Sequence, residues 1–216
     1  MVPDFSIESS INGDVYGLDE VGRGPLAGPV VAGCVYIPLE KRTLDFVSSI
    51  RDSKTLSEKK LHALDDQIRA HFIWGIGECS PQEIDNINIL QASFLAMERA
   101  FLNMKEAPSP QWGEGWGEGD KITALIDGHI LPKSFPCPAR AIKKGDSLSI
   151  SIAAASIIAK VARDKIMSDL AQMHPYYGWE RNAGYPTAEH IAALNLHGVT
   201  DHHRRSFGPV QEALSL

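Results

Sequence analysis

This sequence predicts an α/β fold in which helices pack on one mixed sheet. Three observations carry that reading. β-branched runs come early, strands then alternate with helical periodicities, and a composition of 44% apolar and 22% charged residues is that of a globular chain. Residues 15–19 read as a short strand and 30–37 as a nearly continuous apolar one, with a third strand at 72–77. Between the last two lies a helix, announced by Thr55 and Glu58 as a capping box and carrying Leu61, Leu64, Ile68 and Phe72 at helical spacing. A second helix begins at Ser80 as N-cap, with Pro81 at N1 and Glu83 at N3, and presents Ile87, Leu90, Phe94, Met97 and Phe101 as one apolar stripe. Residues 122–126 and 140–142 follow as strands, and a helix rich in small residues runs from 150 to about 173.

The 216 residues suit one large domain, or one domain with an appendage, and a chain of this size buries roughly 70% of its unfolded surface without staples. Three cysteines (Cys34, Cys79, Cys137) match no metal spacing and leave one over in any pairing scheme, so a reducing, cytoplasmic setting is expected. The first fifteen residues hold three acids and no Lys or Arg, and no apolar run reaches membrane length; neither a secretory signal nor a membrane partner is expected, and a monomer is. Net charge is −6, but residues 1–120 carry 10 basic and 19 acidic side chains whereas 121–216 carry 11 and 8. A polyanionic partner is therefore permitted, because local patches set the field. WGEG occurs at 112–115 and again at 116–119, and the stretch 108–119 reads as a low-complexity surface insertion.

Chemistry concentrates in GLDEVGRGPLAGP at 17–29, where the adjacent carboxylates Asp19 and Glu20 precede a glycine-rich loop. Side chains alternate along a strand, so both acids serve one site only if the strand ends or bulges there. Gly22-x-Gly24-x-x-Ala27 also matches the dinucleotide fingerprint, but that motif requires a helix next, and a strand follows. Asp127 stands at the end of the fourth strand and Asp146 in a turn before the long helix. Four carboxylates from three segments, with no His or Cys at ligand spacing, describe an all-oxygen site for Mg²⁺ or Mn²⁺.

These residues carry a resemblance. GLDEVGRGPLAGPVV is similar to the N-terminal signature of the ribonuclease HII family, and the likeness continues in order through DSKTLS at 52–57, NILQASFLAMERA at 88–100, IDG at 126–128, KKGDSLSISIAAASIIAKVARD at 143–164, NAGYPT at 182–187 and HRRSF at 203–207. It spans about residues 13–209; the WGEG repeat and Pro186 depart from the family pattern. The resemblance implies an RNase H-like mixed five-stranded sheet flanked by helices, with a catalytic domain over 1–170 and a small C-terminal helical part over 171–216. It implies endonucleolytic cleavage of RNA in RNA–DNA hybrids, including single ribonucleotides embedded in duplex DNA, giving 5′-phosphate and 3′-hydroxyl ends with two ions, Mn²⁺ or Mg²⁺. Carried over by position, Asp19, Glu20, Asp127 and Asp146 are catalytic and hold the metal. Gly22, Arg23, Gly24 and Tyr185 sense the ribose, and Ser53 and Lys54 meet backbone phosphates.

Several readings stay open at this stage. Asp52 and Ser53 would alternatively cap the next helix, Arg163 and Asp164 look like a structural ion pair, and His202 with His203 reads as an exposed turn. Related sheets also host DNA resolvases and exonucleases, and a non-catalytic nucleic-acid-binding module would lack one of the four acids. The C-terminal QEALSL, from Gln211 to Leu216, resembles peptides that enter the groove of a sliding clamp; the alternative is a final helix turn that packs Leu214 and Leu216 on the domain.

Overall fold

The computed structural model describes residues 2–106 and 121–215; the repeat-bearing stretch 108–119, read above as an insertion, lies outside them, as does Leu216. Five strands, β1 (Asp14–Val21), β2 (Val30–Tyr36), β3 (Ile73–Cys79), β4 (Ile122–Asp127) and β5 (Ala139–Ile142), form one sheet in the order β3-β2-β1-β4-β5. β1 pairs antiparallel with β2 and parallel with β4, and β5 continues parallel to β4, so the sheet is mixed as expected. β2 is flanked on both edges and covered on both faces, which accounts for its uninterrupted apolar run: all seven residues are buried.

The helices are α1 (Ser6–Ser9), α2 (Glu58–His71), α3 (Pro81–Glu106), α4 (Ile150–Met173), α5 (Trp179–Asn182), α6 (Ala188–His197) and α7 (Gly208–Leu214). α3 covers one face of the sheet, packing Ile84, Met97, Phe101 and Met104 on Tyr16, Leu18 and Ile126. α4 and α2 cover the other, where Leu61, Leu64 and Ile68 meet Ile157 and Ile158. α4 passes through residue 170 without a break and carries Met167, Leu170 and Ala171 into a cluster with Tyr177 and Trp179 of the C-terminal helical part.

Local signals were realised unevenly. Ser80 and Glu83 do form a reciprocal capping box: the Glu83 N–H donates to Ser80 Oγ at 3.2 Å and the Ser80 N–H to Glu83 Oε2 at 2.9 Å. The Thr55–Glu58 box does not form. Thr55 belongs to a 3-10 turn, Ser53–Thr55, its hydroxyl donates to the Asp52 carbonyl at 2.7 Å, and Ser57 occupies the N-cap position of α2. Asp52 caps that turn rather than α2, through the Lys54 N–H at 2.9 Å. The single apolar stripe expected for α3 also breaks, because Asn88 at φ 66° interrupts the helix and caps its second segment through the Leu90 and Gln91 N–H groups. Ile87 is left exposed, and Ala92, Ala96 and Ala100 join the buried face instead.

α4 lies on the sheet at the separation of two backbones. A Cβ on Gly17 would stand 2.1 Å from the Ser151 carbonyl carbon, and one on Gly33 2.5 Å from the Ala155 carbonyl oxygen. The start of α4 is held by Glu8 of α1, a buried carboxylate whose Oε1 accepts from Ser149 Oγ at 2.7 Å, Ser151 Oγ at 2.7 Å and the Ser151 N–H at 3.0 Å. A negative group at a helix N-terminus complements the macrodipole.

Gly17→Ala should therefore cost at least about 3 kcal/mol, the upper part of the overpacking range, since the obstructing atoms are backbone and cannot rotate away. Urea unfolding is the measurement. A loss below about 1 kcal/mol would show that α4 can lift from β1 without penalty.

Candidate active site

Parallel pairing of β1 and β4 sets the site. With Leu18 opposite Ile126, the two strands end at the same edge, and Asp19 and Asp127 emerge side by side. Odd-numbered residues of β1 face α4, as the contact of Gly17 with Ser151 shows, whereas Tyr16 and Leu18 join the α3 side. Asp19 accordingly points toward the turn ahead of α4. That turn, Gly145–Ser147, brings Asp146, and its Gly145 N–H donates to Asp127 Oδ1 at 2.6 Å. One carboxylate oxygen from each of Asp19, Asp127 and Asp146 lies within 4.8 Å of the others.

Glu20 is not part of that group. β1 remains regular through Val21, with Glu20 opposite Ala32, so its side chain leaves on the α3 side and accepts from Arg23 Nη1 at 3.1 Å. With Arg23 and Asp127 it lines a small recess closed by Phe94 and Met97. Three of the four expected carboxylates thus converge and the fourth borders them.

The group is electrostatically loaded. Burial, then the charges of Glu20, Asp127 and Asp146, push the Asp19 carboxyl well above the usual range. Burial, then Asp127 and Asp52, raise Asp146. Burial raises Glu20 against the opposing pull of Arg23. Lys54 stands at the edge, 80% exposed at its side chain, with Nζ 3.9 Å from Asp146 Oδ2. Burial works against its charge, yet Asp19, Asp52, Asp146 and Asp127 outweigh that and hold its ammonium above the ordinary value. Ser53 beside it is buried, and its N–H donates to Ser156 Oγ at 3.4 Å.

A glycine loop and a tyrosine flank the carboxylates. Gly22 has φ +96°, and a Cβ there would meet Arg163 Nε at 2.1 Å. Tyr185, 47% exposed, sets its ring against Gly24: a Cβ on that glycine would lie 3.4 Å from Tyr185 Cε1. Pro186 does not displace this ring, because the Tyr185 carbonyl is fixed by the Thr187 N–H at 2.8 Å and by His190 Nδ1 at 3.0 Å.

Four supporting residues take roles the sequence did not announce. Arg163 is not paired with Asp164, which binds Lys160 instead; buried under the loop, it donates to the carbonyls of Pro29, Ala27 and Ala183 at 3.0, 3.1 and 2.9 Å. His203 is 1% exposed, which overturns the exposed-turn expectation for it. Its Nδ1 accepts from the Thr200 N–H at 3.0 Å, so Nε2 carries the proton and donates to His190 Nε2 at 3.2 Å. His190 Nε2 also accepts from Trp179 Nε1 at 3.0 Å, leaving Nδ1–H for the Tyr185 carbonyl. Only neutral rings satisfy this chain; burial, then His190, His202 and His174, push His203 down to about 3. Spacing in the sequence could not reveal it, since the partners come from α5, α6 and the segment before α7.

Carboxylates from two parallel strands and the turn before α4, on a sheet of this order, form the kind of all-oxygen metal site that a metal-dependent phosphodiester hydrolase uses. The family model described as Ribonuclease HII matches residues 16–210. A ribonuclease HII of Paramagnetospirillum magneticum is 49% identical, with 98% of each chain covered, and one of Rhodospirillum rubrum is 51% identical over 99% of this chain and 93% of its own. Among solved structures, Bst-RNase HIII in complex with Mn²⁺ superposes with TM-score 0.73 at 17% identity, covering 94% of this chain and 69% of that one. The RNase HII in the PCNA:RNase HII complex from Archaeoglobus fulgidus gives 0.69 at 21%, covering 90% and 95%. The chain belongs to the ribonuclease HII family. It is a metal-dependent ribonuclease H, a hydrolase acting on RNA–DNA hybrids.

Two pH-linked outcomes follow from these charges. Acids whose folded values are raised lose stability as pH rises through the range above about 4, so Asp19→Asn should raise the melting temperature of metal-free protein at pH 7 by roughly 2–6 °C, for a gain of about 1–2 kcal/mol. Divalent cation should raise the wild-type melting temperature and leave Asp19→Asn nearly unmoved; scanning fluorimetry reads both, and an unstabilised variant would refute the repulsion. His203 has the opposite sign: its depressed value contributes stability that is full above about pH 6.5 and is lost as pH falls toward 3. Its ring resonances should not titrate between pH 7 and 4, and a transition near 6 would show that the ring is not held neutral.

Proposed function

We propose that this ribonuclease H is an endonuclease that cuts the RNA strand of hybrids and also single ribonucleotides embedded in duplex DNA, leaving 5′-phosphate and 3′-hydroxyl ends with two divalent ions, Mg²⁺ or Mn²⁺. One observation carries the reading: the three converging aspartates lie beside a glycine loop and an exposed tyrosine ring that meet at Gly24. The donor set fits the ions, being all oxygen, wholly or partly buried and mutually repelling, which suits hard cations. Asp19, Asp127 and Asp146 would hold them, with Glu20 as the fourth carboxylate at the rim. Such ions supply positive charge to the reacting phosphate and lower the pKa of the attacking water.

The chain's own residues do the rest. Asp127 is aimed by the Gly145 N–H. Lys54, exposed and charged, offsets the acids where the phosphate backbone must approach, and Ser53 anchors the turn that presents it. Telling RNA from DNA requires a contact to the 2′-hydroxyl, which both donates and accepts. Gly22, Arg23 and Gly24 can bring main-chain groups close to a sugar, and Tyr185 offers a face on which that sugar or the next base rests. Residues 171–216 form the part that carries Tyr185 to the residues 1–170 catalytic unit. Three cysteines, odd in number and matching no metal spacing, suit work in a reducing cytoplasm.

Cleavage of a duplex containing one ribonucleotide, compared with its all-DNA twin, tests the reading. We expect cutting only of the first, only with divalent metal, and at least about 1,000-fold less by Asp127→Asn, a loss of roughly 4 kcal/mol. Cutting of the all-DNA twin, or cutting in chelator, would overturn it.

We further propose a sliding clamp as partner through the C-terminus. α7 packs by Val210 and leaves Gln211 exposed and Leu214 51% exposed, so the final turn does not pack Leu214 on the domain. The Archaeoglobus protein's complex with PCNA supports the idea. A labelled peptide of residues 207–216 should bind the clamp saturably and lose binding with Gln211→Ala; no binding at high micromolar clamp would exclude this mode.

A further inference from the structure

Arg204 is fully buried, forms no ion pair among the described residues, and lies under the glycine loop rather than in it. Its guanidinium donates to three main-chain carbonyls: Nε to Gly28 at 3.0 Å, Nη1 to Arg23 at 3.0 Å and Nη2 to Gly22 at 2.6 Å. A buried cation persists only where oxygen acceptors replace water, and here the loop itself supplies them. The consequence lies on the other side of each peptide. In a trans peptide the C=O and the following N–H point in opposite directions. With the Gly22 and Arg23 carbonyls turned down onto Arg204, the N–H groups of Arg23 and Gly24 are turned away from it. Both residues are exposed, and neither N–H has a hydrogen-bond partner among the described residues. Adjacent free donors pointing the same way, beside the Tyr185 ring and three residues from Glu20, form a fork for an oxygen acceptor.

We propose that Arg204 is the positioning residue of ribose recognition: by holding two consecutive carbonyls inward it presents the Arg23 and Gly24 N–H groups as a preformed fork for the sugar 2′-oxygen. The inference rests on the reading that Gly22, Arg23 and Gly24 sense the ribose. Arg163 cannot substitute, because its three carbonyls belong to Ala27, Pro29 and Ala183, outside the fork. Lysine cannot either, since one ammonium on a flexible stem does not span three carbonyls as a planar guanidinium does.

Steady-state cleavage of the single-ribonucleotide duplex by Arg204→Lys and Arg204→Met is the first test. We expect kcat to fall at least tenfold in both, with KM within about twofold, because the phosphate contacts that dominate duplex affinity remain. The rise in melting temperature on adding Mn²⁺ should match wild type, since the aspartate group is untouched. Millimolar guanidinium should restore part of the activity of Arg204→Ala. A folded Arg204→Met with wild-type kcat would overturn the proposal. Amide exchange in the wild-type protein decides the matter if the variants do not fold. The Arg23 and Gly24 amides should exchange freely with solvent and become protected on adding the single-ribonucleotide duplex without metal, but not on adding its all-DNA twin. Protection of either amide in the free protein would show the peptides turned inward and overturn the proposal. If the wild-type enzyme cuts both duplexes alike, the ribose reading itself fails, and the free-protein exchange still reports whether Arg204 sets the peptide directions.

Discussion

Backbone contact between α4 and the sheet is the constraint on which the remaining structure depends. Gly17 and Gly33 leave no room for a Cβ against Ser151 and Ala155, so α4 sits about as deep on β1 and β2 as a helix can. That depth fixes where α4 begins, and the turn that precedes it carries Asp146 to within reach of two strand ends. Small residues at positions 153–155 and 159 let the helix lie flat, while Glu8 holds its first turn from behind. A helix lifted by the width of a methyl group would move Asp146 by a similar amount, and a site for hard cations does not tolerate such a shift.

Held that way, the aspartates are a strained arrangement. Two ionised carboxylates at such distances repel by roughly 3 to 4 kcal/mol at the effective dielectric of a protein, and burial adds to the penalty, which is why the Asp19 carboxyl is pushed up. Relief is partial: the Glu20, Gly145 and Ser147 donors each reach one carboxylate, Arg23 sits on Glu20, and Lys54 stands only at the outer edge. The fold carries the strain because sheet pairing and the α4 contact over-determine the positions. A cation relieves it, so the tension that destabilises the free protein becomes affinity for metal.

A different logic serves the glycine loop. Arg163 and Arg204 are buried cations satisfied by carbonyls rather than by carboxylates, so they orient main chain instead of neutralising acids. Together they hold the segment from Gly22 to Pro29 from beneath, and the neutral His203–His190 chain holds the Tyr185 carbonyl from the side. Arg204 and the histidine pair come from the C-terminal part and Arg163 from α4, so the Gly22 and Arg23 carbonyls are held by a residue 182 and 181 positions further along the chain.

How far the sequence carried can be judged element by element. Strand order aside, all five strands and the extent of α4 were legible, because β-branched apolar runs and small-residue patterns express local geometry that burial merely confirms. Ser80 and Glu83 behaved as their spacing indicated, since a capping box is closed within four residues. Thr55 did not, because Asp52 upstream competed for the same turn and tightened it into a 3-10 helix. The identities of Asp19, Asp127 and Asp146 were readable from motif and position alone. Their convergence was not, nor was the departure of Glu20 to the other face, because strand pairing decides which carboxylates meet. Likewise nothing local distinguishes Arg163 paired with its neighbour from Arg163 buried beneath a loop, or His203 in an exposed turn from His203 in a sealed chain of rings. The sequence by itself determined the elements, the family and the residue types of the site; tertiary structure alone decided which charges were buried together and which were turned toward solvent, since burial and pairing are properties of segments that meet only after folding.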